Sequence, residues 1–253
     1  MRLLAAITLF LINPICFANN QKVDQTQKSV RFTIVESWPE PYAFFDFERN
    51  LKGGALKEVV DELGKRMNVR VEHIHLSRNR VDAAIEKGTA DVRCYVNEAW
   101  TTKPDLYFFT QPLFLTSNSI IWKKGSTPLN KMADIEGKTI GTVAGYAYKT
   151  ADEIFKSGKA IRSDVANEGM NITLLQKNRI KYAIVETTSF NWSAQKKNEH
   201  DLKDIDSFQI DSIPVKCGVL KKNEELFRSV ESAIDKMKQD GMMKAISLKY
   251  NLK

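Results

Sequence analysis

The sequence predicts an α/β fold made of two lobes of similar construction. Apolar strands alternate with short amphipathic helices, an order that is typical of parallel sheets. The same rhythm recurs in the second half, where "LQKNRIKYAIVE" repeats the helix end and strand of "IEKGTADVRCYV". Two apolar extended runs, 113–122 and 212–220, bracket the middle of the chain and would join the lobes as a two-strand hinge.

In the first half, helices are expected where apolar residues recur every three to four positions, and strands where they alternate. These patterns predict strands at 31–38, 69–76 and 90–97, with helices at 54–67 and 80–87 between them. In the last of these strands the alternation puts Cys94 on an apolar face and Arg93 on the opposite, polar face. This half therefore builds one parallel sheet.

The second half repeats the pattern, with strands at 138–145, 160–165 and 180–186. Thr150 and Glu153 form a capping-box pattern for one helix, and a second helix is expected near 171–177. A last helix is predicted to begin after Asn223 and to end at Gly241. The predicted first lobe is therefore discontinuous, 22–112 plus 214–253, and the second lobe is 123–210.

The first twenty residues, "MRLLAAITLFLINPICFANN", have the pattern of a secretory signal peptide. A cation, an apolar run and a proline precede Cys16-Phe17-Ala18, so we expect residues 1–18 to be removed after Ala18. A lipid-modified Cys16 is the alternative, but Ile15 is large for the position before such a cysteine. No later stretch reaches the roughly 18 apolar residues of a membrane span. We expect a soluble protein exported to the periplasm.

Composition and charge disfavour several classes of function. The net charge of +7 is spread along the chain, without the clustered cations and aromatics of a nucleic-acid groove. His73, His75 and His200 lack nearby cysteines or acids at ligand spacing, so we expect no metal. Neither a Gly-x-Ser-x-Gly elbow nor a Walker-type loop occurs. We expect no cofactor and no nucleic-acid partner.

Cys94 and Cys217 are the two cysteines that remain after removal of the leader. An exported protein can form a disulfide, because its compartment is oxidising. Each cysteine nevertheless lies in an apolar strand, where a free thiol behaves as a small hydrophobic residue. We expect two buried thiols, with a disulfide as the alternative.

Several short motifs occur in a defined order along the chain: Pro41-Tyr42-Ala43-Phe44, Gly88-x-x-Asp91, Phe109-Thr110-Gln111-Pro112, "DIEGKTIGTVAG" and "DGMMKAISLKY". Their order and spacing resemble the family 3 extracellular solute-binding proteins, the periplasmic amino-acid receptors of ABC importers. The resemblance covers essentially the whole mature chain. It implies the type II periplasmic-binding-protein fold, in which two α/β lobes joined by a two-strand hinge close around a ligand.

The same resemblance implies four ligand-binding residues. The family's ligand-contacting aromatic falls on Tyr42, for which a core position is the alternative. Gly145 and Tyr146 fall where a helix start presents free N–H groups to an anionic ligand group. The family's acidic residue, which pairs with a ligand ammonium, falls on Glu186 at the end of a strand, for which a solvated surface position is the alternative.

The largest departure from the family pattern lies after the third strand. Lys103 stands where the family usually has an arginine that binds the ligand carboxylate, and a lysine lacks the planar pair of donors. Glu98 replaces a small hydroxyl residue, and Asn97 precedes it. Arg93 could bind the anion instead, or could form a structural ion pair. The ligand-binding candidates in this segment are therefore Arg93, Asn97, Glu98 and Lys103.

The resemblance favours a binding receptor that captures a small polar solute and delivers it, as a monomer, to an inner-membrane ABC permease. One alternative is an enzyme, since the same fold resembles periplasmic cyclohexadienyl dehydratases, in which a cleft acid such as Glu98 or Glu186 would act. Another is a sensory module that reports ligand binding to a membrane partner in trans.

Overall fold

The computed structural model describes residues 28–196 and 202–252, which form two large sheets, a small hairpin and the helices packed on them. The predicted leader at 1–18, the alternative lipid site at Cys16 and His200 lie outside the described residues. Among the helices of these two described stretches, none has the length and apolar character needed to cross a membrane.

The strands, in chain order, are β1 (Ser29–Val35), β2 (Phe44–Phe45), β3 (Leu51–Gly53), β4 (Arg70–Leu76), β5 (Val92–Val96), β6 (Tyr107–Phe109), β7 (Phe114–Thr116), β8 (Asn118–Lys123), β9 (Thr139–Val143), β10 (Ile161–Val165), β11 (Tyr182–Glu186), β12 (Ile205–Gln209) and β13 (Ile213–Leu220). The α-helices are α1 (Ala55–Met67), α2 (Val81–Glu86), α3 (Lys149–Lys156), α4 (Glu168–Gln176), α5 (Thr187–Lys196), α6 (Glu224–Gln239) and α7 (Met242–Tyr250). Strands and helices alternate in both halves, as the sequence predicts.

Each large sheet belongs to one lobe. The first has the order β4-β1-β5-β13-β6, with β7 paired to β13, and the second has the order β10-β9-β11-β8-β12. In each sheet three strands are parallel, β4-β1-β5 and β10-β9-β11, and the strand that follows them is antiparallel. The two-lobed α/β architecture is therefore confirmed. The carboxyl ends of the parallel strands mark the sheet edge where ligands bind in such folds.

The chain passes between the sheets twice, at Ser117 and at 210–212. The two crossings lie side by side, because Asn118 donates from its backbone N and from Nδ2 to the Asp211 carboxylate, over 2.7 and 2.9 Å. Most residues of the two predicted hinge strands belong to the sheets on either side. The lobe boundaries given above stay a prediction.

The core of the first lobe lies between its sheet and helices α1, α6 and α7. The predicted stripe on α1 explains this packing, since Leu56, Val59, Val60 and Leu63 are all fully buried. A smaller core in the second lobe centres on β8, β9 and β11. At about 25 cal/mol per Å² of apolar surface removed from water, these two clusters supply the main driving force for folding.

The polar residues that alternate along β5 are buried rather than exposed. Strand β5 lies between β1 and β13, helices α1 and α2 pack against it, and every residue from Val92 to Val96 is buried. Arg93 is only 3% exposed and pairs with Asp82. Central strands of largely parallel sheets are generally buried on both sides, which alternation in the sequence does not reveal.

Two helix starts differ from those predicted. Thr150 lies inside α3, which begins at Lys149, so it does not cap that helix. Helix α4 begins at Glu168, three residues before the predicted start, because Asn167 caps it by accepting a hydrogen bond from the Met170 N–H. The Asn223 cap of α6 is confirmed by its bond from the Leu226 N–H, and Gly241 follows that helix with a φ of 81°.

Cys94 and Cys217 form a disulfide, so the expectation of two free thiols is wrong. Strands β5 and β13 are antiparallel neighbours and bring the two residues directly opposite each other, with Cα atoms 3.9 Å apart. The two cysteines are 123 positions apart in sequence, so no local pattern reveals this contact. The disulfide joins the two central strands of the first lobe.

Candidate ligand-binding site

A small cavity lies between the lobes, at the carboxyl ends of the parallel strands. Its volume is about 20 Å³, room for one or two water molecules. A ligand as large as an amino acid therefore enters only if the lobes separate or the wall residues move. Four aromatic and three charged residues make up most of its wall: Tyr95, Trp100, Tyr146, Tyr148, Arg78, Glu168 and Glu186.

Arg78 supplies the positive charge of this cavity. It follows β4 by two residues, so the parallel sheet places it at the cleft. Its Nε donates to the Gly145 carbonyl over 2.8 Å, and its guanidinium lies 4.6 Å from the centre of the Tyr146 ring. Within 28–196 and 202–252, its terminal nitrogens have no acceptor and it has no carboxylate partner. Burial lowers the pKa of Arg78, but a guanidinium stays charged at neutral pH. It is therefore suited to bind an anion.

Gly145 and Tyr146 form one of the contacts of the second lobe with the first. Gly145 has a φ of 74°, which strains other residues, and a Cβ there would come to 2.5 Å from the Asn79 side-chain oxygen, so glycine is favoured at this approach. The Tyr146 hydroxyl donates to the Ser37 carbonyl over 3.0 Å. The Tyr146 N–H donates to Val143, and α3 begins only at Lys149. These residues therefore form a turn that joins the lobes rather than the first turn of a helix.

Tyr95 forms part of the aromatic wall with an unusual backbone conformation. Its φ is 58°, which for a bulky residue costs on the order of 1–3 kcal/mol and persists only where packing compensates. The ring lies 4.8 Å from that of Tyr42, 5.6 Å from Trp100 and 5.8 Å from Trp38, measured between ring centres. This packing fixes the ring at the cavity, where it limits the room for a ligand.

Glu186 ends β11 and is 3% exposed. Oε1 accepts from the Thr116 hydroxyl and the Thr188 N–H, over 2.8 and 2.9 Å. Oε2 accepts from the N–H and the hydroxyl of Ser189, over 2.6 and 2.8 Å. Since Thr188 and Ser189 lie in the first turn of α5, the carboxylate caps this helix and its four bonds leave little acceptor capacity for a ligand.

Glu168, the first residue of α4, is also 3% exposed. Its Oε1 accepts from the Glu186 N–H over 3.1 Å, while its Oε2 has no hydrogen-bond partner among the described residues. Burial, together with the charge of Glu186, raises the pKa of Glu168 to about 8. The carboxyl group is therefore largely protonated at neutral pH unless a cation comes close to it.

The structure places the predicted Lys103 and Glu98 in surface ion pairs. Lys103 Nζ lies 2.6 Å from Glu86 Oε2, and both side chains are 48% exposed. Glu98 pairs with Lys216 over 2.5 Å. Neither residue lines the cavity. Their roles in ligand binding stay predictions that this geometry does not support.

Three further candidates have structural partners behind the cavity wall. Arg93 Nη1 lies 2.5 Å from Asp82 Oδ1, and Asn97 donates from Nδ2 to the Pro214 carbonyl. Tyr42 is fully buried in the core of the first lobe, with its hydroxyl 3.3 Å from Thr116 Oγ1. Because the Thr116 hydroxyl donates its hydrogen bond to Glu186, Tyr42 is the donor in this bond. Of the eight predicted site residues, the structure brings Tyr146 and Glu186 to the cavity wall, with Gly145 beside it.

The fold agrees with comparisons to known proteins. The model of the bacterial extracellular solute-binding proteins, family 3, matches residues 32–253. The chain belongs to this family. Two curated relatives are a probable histidine-binding protein of Campylobacter jejuni, 23% identical, and a probable amino-acid-binding protein, YxeM, of Bacillus subtilis, 22% identical. Each alignment covers 83% of this chain, with 82% of the first relative and 80% of the second.

Among solved structures, an ancestral arginine-binding protein bound to arginine matches with a TM-score of 0.74 and 20% identity, over 88% of this chain and 98% of the other. At this identity the match shows the fold, which is the type II two-lobed fold expected from the sequence. Family membership makes the chain a solute-binding protein rather than an enzyme.

In this solute-binding protein, sequence reasoning missed Arg78 and Glu168. Both follow a parallel strand, β4 and β10, by a few residues, and the general rule for ligand positions in α/β sheets would have included them. The family pattern directed attention to the segment after β5 instead.

Three other depressions are larger than the inner cavity, and one of them, of about 360 Å³, lies beside Arg31 and Asp91 on the first lobe. The remaining two differ in their position relative to the inner cavity. One of about 300 Å³ adjoins it, shares Glu168 with it, and is lined by both lobes. The other, of about 560 Å³, lies on the first lobe between α1 and α6, away from the cleft. Two cations at this second depression, Arg66 and Arg228, already pair with acids. In the described part of the chain, no group of three metal-ligating side chains is placed to hold an ion.

Proposed function

We propose that this protein is an amino-acid receptor, whose lobes close around the ligand and whose closed form a membrane ABC permease recognises. The observation behind the proposal is Arg78, a cation without a carboxylate partner among the described residues, in a cavity between the lobes. A ligand carboxylate would supply that partner through a bidentate, charge-assisted pair of hydrogen bonds. The names of the curated relatives support an amino acid as the solute.

The contacts between the lobes fit a closing mechanism. Tyr146 bonds to Ser37, and Arg78 bonds to Gly145, so part of the closed interface forms from protein groups alone. A ligand promotes closure only to the extent that it binds the closed form more tightly than the open form. A ligand that bridges Arg78 and the second lobe meets this requirement, since its contacts on both sides exist only when the lobes are together.

A thermal-shift screen tests the receptor function. The purified mature protein is heated with each common amino acid, with polyamines, small carboxylates and oligopeptides, and with prephenate. A ligand at 100 times its Kd should raise Tm by roughly 5–10 °C for a chain of this size. If none of these compounds stabilises the protein while prephenate is consumed, the receptor function is wrong and a dehydratase activity replaces it.

Delivery to an importer requires a cellular experiment. Deletion of the gene should abolish uptake of the radiolabelled ligand, and a copy encoding a mature protein without residues 1–18 should not restore it. We also propose a periplasmic monomer, to be checked by the N-terminal sequence of the protein in the periplasmic fraction and by its mass on size exclusion. Uptake unchanged by deletion would contradict the transport role and leave ligand sensing as its replacement.

A further inference from the structure

The second lobe presents two buried carboxylates to the cavity, and they differ in hydrogen bonding. Four donors satisfy Glu186, whereas Glu168 accepts only the Glu186 N–H, through Oε1. The other oxygen of Glu168, Oε2, has no hydrogen-bond partner among the described residues. The residue is nevertheless buried, with only 3% of its surface exposed to solvent. A buried acceptor left without a donor costs about 1–3 kcal/mol, and more for a charged group. Oε2 is therefore the open acceptor in this cavity.

The protein supplies no cation to this oxygen. Arg78 and Arg49, at the cavity and the adjoining groove, are the cations that face Glu168, and neither forms an ion pair with it in the described ranges. Arg49 instead donates to the Glu36 carbonyl. The other titratable groups around Glu168 are acids and phenols: Glu36, Glu40, Tyr95, Tyr146, Tyr148 and Glu186. A cation from outside would therefore meet an uncompensated acceptor.

We propose that Glu168, and not Glu186, is the residue that accepts an N–H from the ligand's ammonium group. The inference rests on the proposed amino-acid receptor function, in which Arg78 binds the ligand carboxylate. When the ligand binds, the Glu168 O–H bond breaks, its proton passes to solvent, and the ligand N–H donates to the carboxylate oxygen. A primary or secondary ammonium group can make this bond. A quaternary ammonium group has the charge but no N–H, so it leaves Oε2 without a donor.

Isothermal titration of the full mature protein tests this assignment. Each common L-amino acid is titrated first, and the tightest binder is then compared with its Nα-trimethyl derivative. The Glu168→Gln substitution keeps the size of the side chain and its Oε1 acceptor but removes the charge and the second acceptor. We expect it to weaken binding of the amino acid by roughly 30-fold or more. The trimethyl derivative should lose about as much affinity for the wild type, and much less for the variant.

Asp211→Asn is the matched control. Asp211 is a partly buried carboxylate that accepts two bonds from Asn118 at the lobe crossing, and it does not line the cavity. This substitution should leave the Kd within about threefold of the wild type. Circular dichroism and urea unfolding establish that each variant is folded, and the trimethyl comparison on the wild type tests the proposal without any substitution.

The pH dependence of Kd separates ligand contact from a structural role. Since the ligand displaces a proton from a group whose pKa is raised to about 8, wild-type affinity should weaken by about tenfold per pH unit from pH 8 to pH 6. Glu168→Gln should remove this slope. The inference is overturned if the variant binds within threefold of the wild type with the same pH profile, or if the trimethyl derivative binds the wild type equally well. Failure of every amino acid to bind the wild type would instead overturn the receptor function itself.

Discussion

The segments that follow β4 and β5 both contain a cation near the cleft, and the structure uses them in opposite ways. After β5, Lys103 lies on the surface against Glu86, with half of its side chain exposed. After β4, Arg78 lies in the cavity without a carboxylate partner in the described ranges. Arg93, within β5, is buried in an ion pair with Asp82. A positive charge near a cleft therefore indicates ligand binding only when the protein has not already neutralised it.

The largest effect that this comparison predicts is on stability, at Arg93. Arg93→Met leaves Asp82 without its cation, and removal of one partner from a buried ion pair costs about 3–5 kcal/mol. Urea unfolding measures the loss. Arg93→Met/Asp82→Asn should recover part of it, because no uncompensated charge remains, and Kd should stay unchanged in the protein that remains folded. A stable single variant that no longer binds ligand would move Arg93 from the core to the site.

The next effect is on binding, at Arg78. Arg78→Ala removes the proposed carboxylate partner and should weaken amino-acid binding by about 2–3 kcal/mol, roughly 30-fold to 150-fold in Kd. Arg78→Lys should recover only part of the affinity, because a lysine lacks the bidentate geometry. Arg80→Ala, at an exposed arginine two residues away, is the control and should bind like the wild type. Calorimetric Kd values that are equal for Arg78→Ala and Arg80→Ala would remove Arg78 from the site.

A pH-dependent effect on stability should appear at Glu168, which lies across the cavity from this loop. Its pKa is raised in the folded protein to about 8, from an ordinary value of 4.5, so between these values the folded state binds more protons than the unfolded state. Stability from this group is therefore fully present below pH 4.5 and falls as the pH rises to 8. The slope is at most about 1.4 kcal/mol per pH unit.

Urea unfolding of the ligand-free protein at several pH values measures this slope as the difference between the wild type and Glu168→Gln. The variant keeps a neutral side chain at every pH and serves as the reference, so effects of all other groups cancel. A difference that is constant from pH 4.5 to pH 8, or that grows in favour of the wild type, would show that Glu168 ionises freely in the folded protein.

The smallest effect is expected at Lys103. An exposed ion pair contributes only about 0–1 kcal/mol, so Lys103→Ala should change the free energy of unfolding by no more than that. Its Kd should stay within about twofold of the wild type, because the ammonium lies outside the cavity wall. If Lys103→Ala loses as much binding as Arg78→Ala, Lys103 contacts the ligand carboxylate, as the family pattern implies.

Local patterns in the sequence predicted most of the elements and their alternation. The stripe on α1 and the cap at Asn223 depend on neighbours within a few turns, and both are found as predicted. Thr150 and Glu153 have the spacing of a capping box, but Thr150 does not cap α3. The helix begins at Lys149, the residue before Thr150. The disulfide was missed because its cysteines meet only through the pairing of β5 with β13.

The candidate site was predicted less well than the fold. Family spacing led to Tyr146 and Glu186, which the structure places at the cavity. It also led to Lys103 and Glu98, whose charges are neutralised by Glu86 and Lys216 on the surface. A spacing rule identifies a position along the chain, but it does not state which partner a side chain finds there.

The sequence by itself determined that the chain alternates strands and helices in two lobes, and its motif order determined the family. These properties depend on hydrophobic periodicity and on residues close together in the chain. Only the tertiary structure decided which charges remain available to a ligand. Neutralisation depends on contacts between residues far apart in sequence, such as Arg93 with Asp82, and on burial, which raises the pKa of Glu168 while Glu186 is satisfied by the start of α5.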